Sequence, residues 1–362
     1  TAGSAESTMT IPSRTNDEWR TIVVPQTVAA GTTLFSITIG GVPYKFTKNE
    51  AFTYVSGKMM NFGIKVDKQT GSGAYKLTLV SESITPWEND LVSHDATAKE
   101  YVVINSTKGH LKEAIAAANK DYTKIKNLKI TGEISAQDFY FMRDSMENLA
   151  ALNLKEVIIR GGEQRLTGGA QGVYPHNDYE IPYEALRGKK SLNLLVLPDK
   201  LTKIGIAAFA DDQNITGSLI IPEGVTEIEV GAFYDCRSMN GTLSLPSTLK
   251  YLGRGIDLWW YGGVFTYCGF TSELILPNNL ECIAGNNTFA GCEGLTGSIT
   301  IPQGVHKLPT SVFQFCDNLN GTLTLPDGIT SIGYNCFQGC ALKGELKLPK
   351  NLTVIADEVF NG

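Results

Sequence analysis

The most regular feature of the chain is an apolar–polar alternation that recurs in phase through its C-terminal half. A tetrad of Leu or Ile, any residue, Leu or Ile, then Pro stands at 195–198, 219–222, 243–246, 274–277, 299–302, 323–326 and 346–349, which sets its prolines 24, 24, 31, 25, 24 and 23 residues apart. Apolar residues two apart share one face of a strand, and Pro, lacking an N–H, ends that strand. A second series keeps step: Phe209, Phe233, Phe265, Phe289, Phe313, Phe337 and Phe360, with Leu186 in the same slot one unit earlier. Between the two lies a Val/Leu/Ile-x-x-Ile/Leu element, as at 225–228, 305–308 and 329–332. One such unit is too poor in apolar residues to hold a core alone, whereas stacked units bury them as shared ladders. Gly224, Gly304 and Gly328, and the Asn-Gly pairs at 240–241 and 320–321, are expected to supply the positive φ of tight corners.

With Cys236, Cys268, Cys292, Cys316 and Cys340 each three residues after a ladder Phe, the pattern closely resembles the BspA-like leucine-rich repeats of bacterial surface proteins. The resemblance covers about half of the chain and implies a right-handed solenoid over 181–362. Residues 99–180 resemble the entry region of such proteins, through Leu128 to Gly132, Asp138-Phe139, Leu149 to Leu154 and Val157 to Gly162. A helix from Ser135 to Met146, with Ser135 as N-cap and Asp138 in the capping-box position, is expected to cover the open apolar end of the stack. A second helix is expected near 109–119, where Ala and Leu dominate. The last repeat reaches Phe360 but not its Cys slot, so no cap is evident there.

Residues 1–98 have no such period. Alternating stretches at 21–24, 34–39, 44–46, 61–66 and 75–80, separated by Gly, Pro, Asn and Asp, predict an all-β sandwich. Val23-Val24-Pro25-Gln26, Gly57-Lys58 and Ile84-Thr85-Pro86-Trp87 resemble the C-terminal half of fimbrillin-like pilin domains. A full fimbrillin carries a further β domain upstream, none is visible in this sequence, and a plain β spacer competes with a pilus-associated role. The fold class is thus a β-rich two-domain protein: an N-terminal sandwich, then a leucine-rich-repeat solenoid with a short helical cap.

Composition narrows the function. The net charge is -6 and Lys and Arg are scattered, so no basic stripe exists to neutralise a phosphate backbone, and nucleic acid is not an expected partner. No apolar run is long enough for a membrane helix. The small and polar residues after Thr1 are what a removed leader or tether leaves behind, which allows a lipid anchor upstream of residue 1. The cysteines read as small, stacked core residues and not as a metal or redox array, and their total of seven cannot pair completely. His94, His110, His176 and His306 stand apart from metal-ligand spacings, and 176–178 is expected to be a solvated loop. No nucleophile elbow, phosphate loop or dinucleotide fingerprint is present. The expectation is no enzyme, no cofactor and no metal.

What remains is surface. By alternation the tetrads point outward through Leu194 with Val196, Ser218 with Ile220, Thr242 with Ser244, Glu273 with Ile275, Ser298 with Thr300, Thr322 with Thr324, and Glu345 with Lys347. The candidate partner-binding residues on this row are Ile220, Ser244, Ile275, Thr300 and Thr324. The 31-residue interval adds an insertion, around 253–263, carrying Trp259, Trp260 and Tyr261. Rigid aromatics on a looped-out segment suit protein interfaces and sugar faces. The family resemblance implies a cell-envelope protein of the Bacteroides type on the outer, extracellular-facing surface. It implies adhesion to a host matrix protein or another bacterial surface protein, with a glycan-binding module and a pilus-associated subunit as the other readings.

Overall fold

The computed structural model describes residues 101–165, 173–255 and 262–361 in full, apart from the side chains of 163–165 and 173–175. Before residue 101 it describes the backbone of the strands alone. The chain divides into two compact units, Thr1–Asp90 and Leu91–Gly362.

In the first unit the strands pair antiparallel. Lys58–Lys68 runs against Tyr75–Pro86, with a register shift at Gly63/Ile64. Thr33–Ile39 pairs Val42–Thr47, and Thr27–Val28 pairs Phe52–Thr53.

The second unit is a β-solenoid of about ten turns with little helix. It opens with Val102–Ser106 and Asn127–Ile134 in parallel register, and two strands of the next coil, Ala151–Asn153 and Val157–Ile159, then pair with the two halves of Asn127–Ile134. Two helices accompany this start, α1 (Leu111–Ala117) and α2 (Ala136–Ser145). Their N-termini share one carboxylate. Asp138, 2% exposed, accepts from the backbone N–H groups of Gly109 (2.8 Å), Leu111 (2.9 Å) and Ser135 (2.8 Å). Orphan N–H groups of two helices are satisfied by one acid. Phe139 and Met142 of α2 are fully buried in the main core, and its outer residues bond to the next coil, Tyr140 Oη to Tyr183 O (3.0 Å) and Arg143 Nη1 to Glu184 O (2.8 Å).

Beyond the entry, each coil contributes to a lateral sheet made by the second apolar element. Glu180–Ile181, Lys203–Ile204, Glu227–Glu229, Tyr251–Arg254 and Cys282–Ile283 form one parallel sheet, and Lys307–Leu308, Ser331–Ile332 and Val354–Ile355 form another. The tetrads are less continuous: Leu219–Ile220 pairs Leu243–Ser244 and Ile299–Thr300 pairs Leu323–Thr324, while the tetrad at 274–277 joins neither pair.

The phenylalanines form the spine. Successive rings from Phe209 to Phe360 are stacked at centroid distances of 5.2, 5.7, 5.5, 5.4, 5.4 and 5.6 Å. These spacings exceed a coil-to-coil rise of about 4.8 Å, so the near-parallel rings are offset, the favoured geometry of an aromatic pair. The insertion does not disturb the spine, because Phe233 and Phe265 stack across it and Tyr251–Leu252 pairs Cys282–Ile283 in register.

Glycine acts differently from the sequence expectation. Gly224 has φ +104°, but Gly304, Gly328, Gly241 and Gly321 are not among the positive-φ residues. At Gly241 a Cβ would meet Ser218 N at 2.6 Å, and at Gly321 it would meet Ser298 N at 2.7 Å. These corners need glycine because the preceding coil's backbone passes too close for a side chain.

Candidate partner-binding surface

The slot three residues after each ladder Phe is a buried polar seam. Each thiol donates to the carbonyl of the Phe one coil earlier: Cys236 to Phe209 (3.2 Å), Cys268 to Phe233 (3.1 Å), Cys292 to Phe265 (2.9 Å), Cys316 to Phe289 (3.1 Å) and Cys340 to Phe313 (3.1 Å). All seven described cysteines are free. Burial pushes the Cys292 and Cys340 thiols up to about 12, far from the thiolate that metal binding or redox chemistry requires. The same slot holds Asp212 and, one coil earlier, Lys189. The buried Lys189 ammonium donates to the carbonyls of Met146 (2.7 Å) and Arg143 (3.1 Å), tying the C-terminal end of α2 to the stack. Asp212 accepts from Lys189 N, its second oxygen has no partner, and burial raises its carboxyl well above the usual range.

With the seam and spine occupied by packing, partners are left the lateral faces. On the tetrad face the alternation holds from the second tetrad on: Leu219, Leu243, Leu274, Ile299 and Leu323 are buried, while Ser218, Thr242, Glu273, Thr300, Thr322, Thr324, Glu345 and Lys347 are exposed. Ile220, Ser244 and Ser298 are half-buried. Ile220 and Ser244 are register neighbours, as are Thr300 and Thr324. Ile275, 68% exposed, lies between these two pairs on a tetrad held to the next coil by Leu274 N to Thr296 O (3.2 Å). The first tetrad is a correction. Leu194 and Val196 are each only 6% exposed. Leu195 between them is only half-buried against the core, so the inward–outward contrast of the later tetrads is absent here, where Leu194–Val196 pairs with Ala151–Asn153. Trp259, Trp260 and Tyr261 lie outside the described residues.

The 176–178 segment also differs from expectation. Gly162–Arg165 and Val173–His176 form a hairpin, and His176, at its base, is 6% exposed with neither ring nitrogen partnered. Burial lowers its pKa. Asp178 is exposed and accepts from Gly161 N (2.8 Å) and Arg160 Nη1 (2.7 Å). Among the described residues no group of three His, Cys, Asp or Glu is placed to hold a metal.

Two surface features were not read from the sequence. The lateral sheet carries a charged face: Lys203 pairs with Glu229 (2.7 Å), Lys250 with Glu281 (3.0 Å), Tyr251 Oη donates to Glu281 (2.9 Å), and Arg254 lies 3.4 Å from the Tyr251 ring centroid. The polar pair inside each second apolar element, in phase from coil to coil, was its available signal. A cleft of about 700 Å³ opens on this face between Tyr251, Arg254, Glu281 and Cys282 on one side and His306, Lys307 and Pro309 on the other. The second feature lies two residues after each ladder Phe, a left-handed position held by Asp211, Asp235, Tyr267, Gly291, Phe315 and Gly339. Glycine and aspartate suit it, bulky aromatics do not. Tyr267 (46% exposed) and Phe315 (49%) adopt it over neighbouring glycines: a Cβ on Gly291 would fall 2.4 Å from the Tyr267 ring, and one on Gly339 would fall 3.0 Å from the Phe315 ring.

Parallel coils, a stacked spine and a cysteine seam define a leucine-rich-repeat solenoid. It is of the BspA type: residues 179–256 and 261–362 match the BspA type leucine rich repeat region, in six copies, and residues 1–87 match the fimbrillin-like family. Among solved structures the chain is similar to a T. pallidum leucine-rich-repeat protein (27% identity over 49% of this chain and 74% of that one, TM-score 0.37). It is similar also to a leucine-rich cell surface protein of Faecalibacterium prausnitzii (18%, 92% and 87%, TM-score 0.38) and a leucine-rich-repeat protein of Bacteroides ovatus (17%, 81% and 86%, TM-score 0.32). No curated protein matches the chain.

Proposed function

We propose that this protein is a non-catalytic, cell-surface adhesin whose solenoid flank binds a protein partner, either a host matrix protein or a surface protein of another bacterium. The observation that carries the reading is the division of labour within each coil. The leucines, phenylalanines and thiols are consumed by packing, while hydroxyls, charges and single apolar residues such as Ile275 stand outward in rows one coil apart. An array of this kind offers an extended surface at no cost to the core. The fimbrillin-like segment over 1–98 would serve as the spacer toward the cell envelope, with 99–180 as entry region and 181–362 as the binding solenoid.

The full chain, immobilised and challenged with a panel of matrix proteins beside a glycan array, tests the reading. Saturable retention of a matrix protein supports it, and retention of glycans alone replaces it with the second reading. That second reading has its own support: Tyr267 and Phe315 hold exposed rings two coils apart in a conformation that costs backbone energy, and strained exposed aromatics cluster at ligand sites.

A further inference from the structure

The left-handed slot two residues after each ladder Phe stays in line from coil to coil. The N–H of the slot residue donates to the carbonyl just before the slot in the next coil: Asp235 N to Thr266 O, Tyr267 N to Ala290 O, Gly291 N to Gln314 O and Phe315 N to Gln338 O, each at 2.8 Å. Tyr267 and Phe315 therefore stand on one line, with the single coil of Gly291 between them. Glycine or aspartate holds the slot with less backbone strain, and the coils at Asp211, Asp235, Gly291 and Gly339 use them. Each aromatic is also followed one coil on by a glycine whose missing side chain makes room for its ring, Gly291 for Tyr267 and Gly339 for Phe315. A bulky ring where the backbone resists it and a gap that seats it coincide at both places, and each ring residue still leaves nearly half of its surface to solvent.

Polar side chains next to the rings are committed to one another. Asp235 accepts from Arg237 and Gln213, and Gln314 donates to Gln338. Tyr267 is braced from the preceding coil, where Tyr234 meets its ring edge-on at 6.2 Å and the Arg237 guanidinium lies 5.6 Å from its centroid. Spacing completes the geometry: at about 4.8 Å per coil, the two aromatic slots are about 9.6 Å apart.

We infer that the two rings form a docking site for a proline-rich segment of the partner in polyproline II conformation. Such a helix repeats every three residues at about 3.1 Å apiece, so prolines three apart recur on one face about every 9.3 Å, the step from Tyr267 to Phe315. Proline rings pack on aromatic rings and bring no N–H that burial would leave unpaired, and the helix is ordered before it binds. This deepens the adhesin reading and rests on it. A sugar also stacks on an aromatic ring, but it needs free polar side chains beside the ring for its hydroxyls. Asp235, Arg237, Gln314 and Gln338 are bonded among themselves, so the peptide is the occupant the geometry favours.

The test uses the full chain and a fluorescein-labelled dodecapeptide with Pro at every third position and Gln between. An isomer in which no two prolines stand three apart is the control, and cellohexaose is the sugar probe. The native chain should bind the periodic peptide with an affinity largely indifferent to salt, and should bind the isomer about tenfold less tightly or worse. Tyr267→Gly and Phe315→Gly, which place in the slot the residue that positions 291 and 339 already carry, should each weaken binding by roughly tenfold. The two together should abolish it, with an unchanged circular dichroism spectrum. The comparison of the two peptides leaves the protein untouched, so a variant that misfolds does not decide the outcome. Equal binding of the two peptides, no binding of the periodic one, or binding of cellohexaose alone would overturn the site. Should the double Gly variant keep its matrix partner undiminished, the rings are not the contact while adhesion by another face stands.

Discussion

At the scale of single residues, the slot that reads Lys189, Asp212, Cys236, Cys268, Cys292, Cys316 and Cys340 shows how one position changes chemistry along a stack. In the interior a thiol suffices, because it is small, apolar and able to donate one weak bond to the preceding coil. At the start the same position must tie the stack to α2, and there it carries a buried ammonium. Lys189→Met should therefore cost about 2–3 kcal/mol, the worth of charge-assisted bonds left unmade, measured by urea unfolding. Asp212 gives a pH prediction of definite sign. Its raised pKa means that the folded chain prefers the protonated acid, so its contribution is favourable at acid pH and is lost as pH rises through the folded value. Asp212→Asn should raise the Tm near neutral pH and lose that advantage on acidification, whereas a pH-independent difference would contradict the assignment. Asp212 stands three residues after Phe209, so its place in the cysteine slot follows from spacing alone. Lys189 stands three residues after Leu186 in the same way, but its burial was not legible, because a lysine at that spacing reads as a solvated side chain until α2 is placed over it.

Among the elements, the Phe spine and the hairpin over the entry make opposite predictions. Phe289 is fully buried between two stacked rings, so Phe289→Ala should cost about 3–5 kcal/mol by urea unfolding. Phe360, 44% exposed, stacks on one side alone and should cost clearly less on truncation. The hairpin of Gly162–Arg165 and Val173–His176 is closed by a neutral, buried imidazole. Burial lowers the pKa of His176, so its contribution to stability is present above the ordinary histidine value of about 6.5 and is lost as pH falls below it. The protection of the amides in 162–165 and 173–176, referred to the intrinsic exchange rate at each pH, should fall as pH drops below about 6.5, and His176→Gln should flatten that dependence. The tetrads, the Phe series and the α2 cap were legible because packing fixes their spacing. The hairpin was not, since Gly161 and Gly162 read as a loop and nothing local announces that His176 will be covered. The exposed Tyr267 and Phe315 were equally hidden, since their slot is named by backbone conformation and not by hydrophobic period.

For the molecule as a whole, a stack whose coils touch only their neighbours keeps its lateral faces independent of its stability. The same independence explains why the fold was readable and the partner was not: packing constrains Leu219, Leu243 and Leu323, while Ile220, Ser244 and Thr324 opposite them are free to vary. The thiol seam extends along the stack, and so native protein should leave its buried cysteines unreacted with a thiol reagent, whereas unfolded, unreduced protein should yield all seven. The central claim is that the flank of the stack grips a protein partner. Binding of a retained matrix protein to full-length variants carrying Ile275→Glu, Thr300→Glu, Thr324→Glu or Arg254→Glu, each with a native circular dichroism spectrum, measures it directly. The account predicts that affinity falls for variants clustered on one lateral face with no change in Tm; affinity indifferent to all four would contradict it.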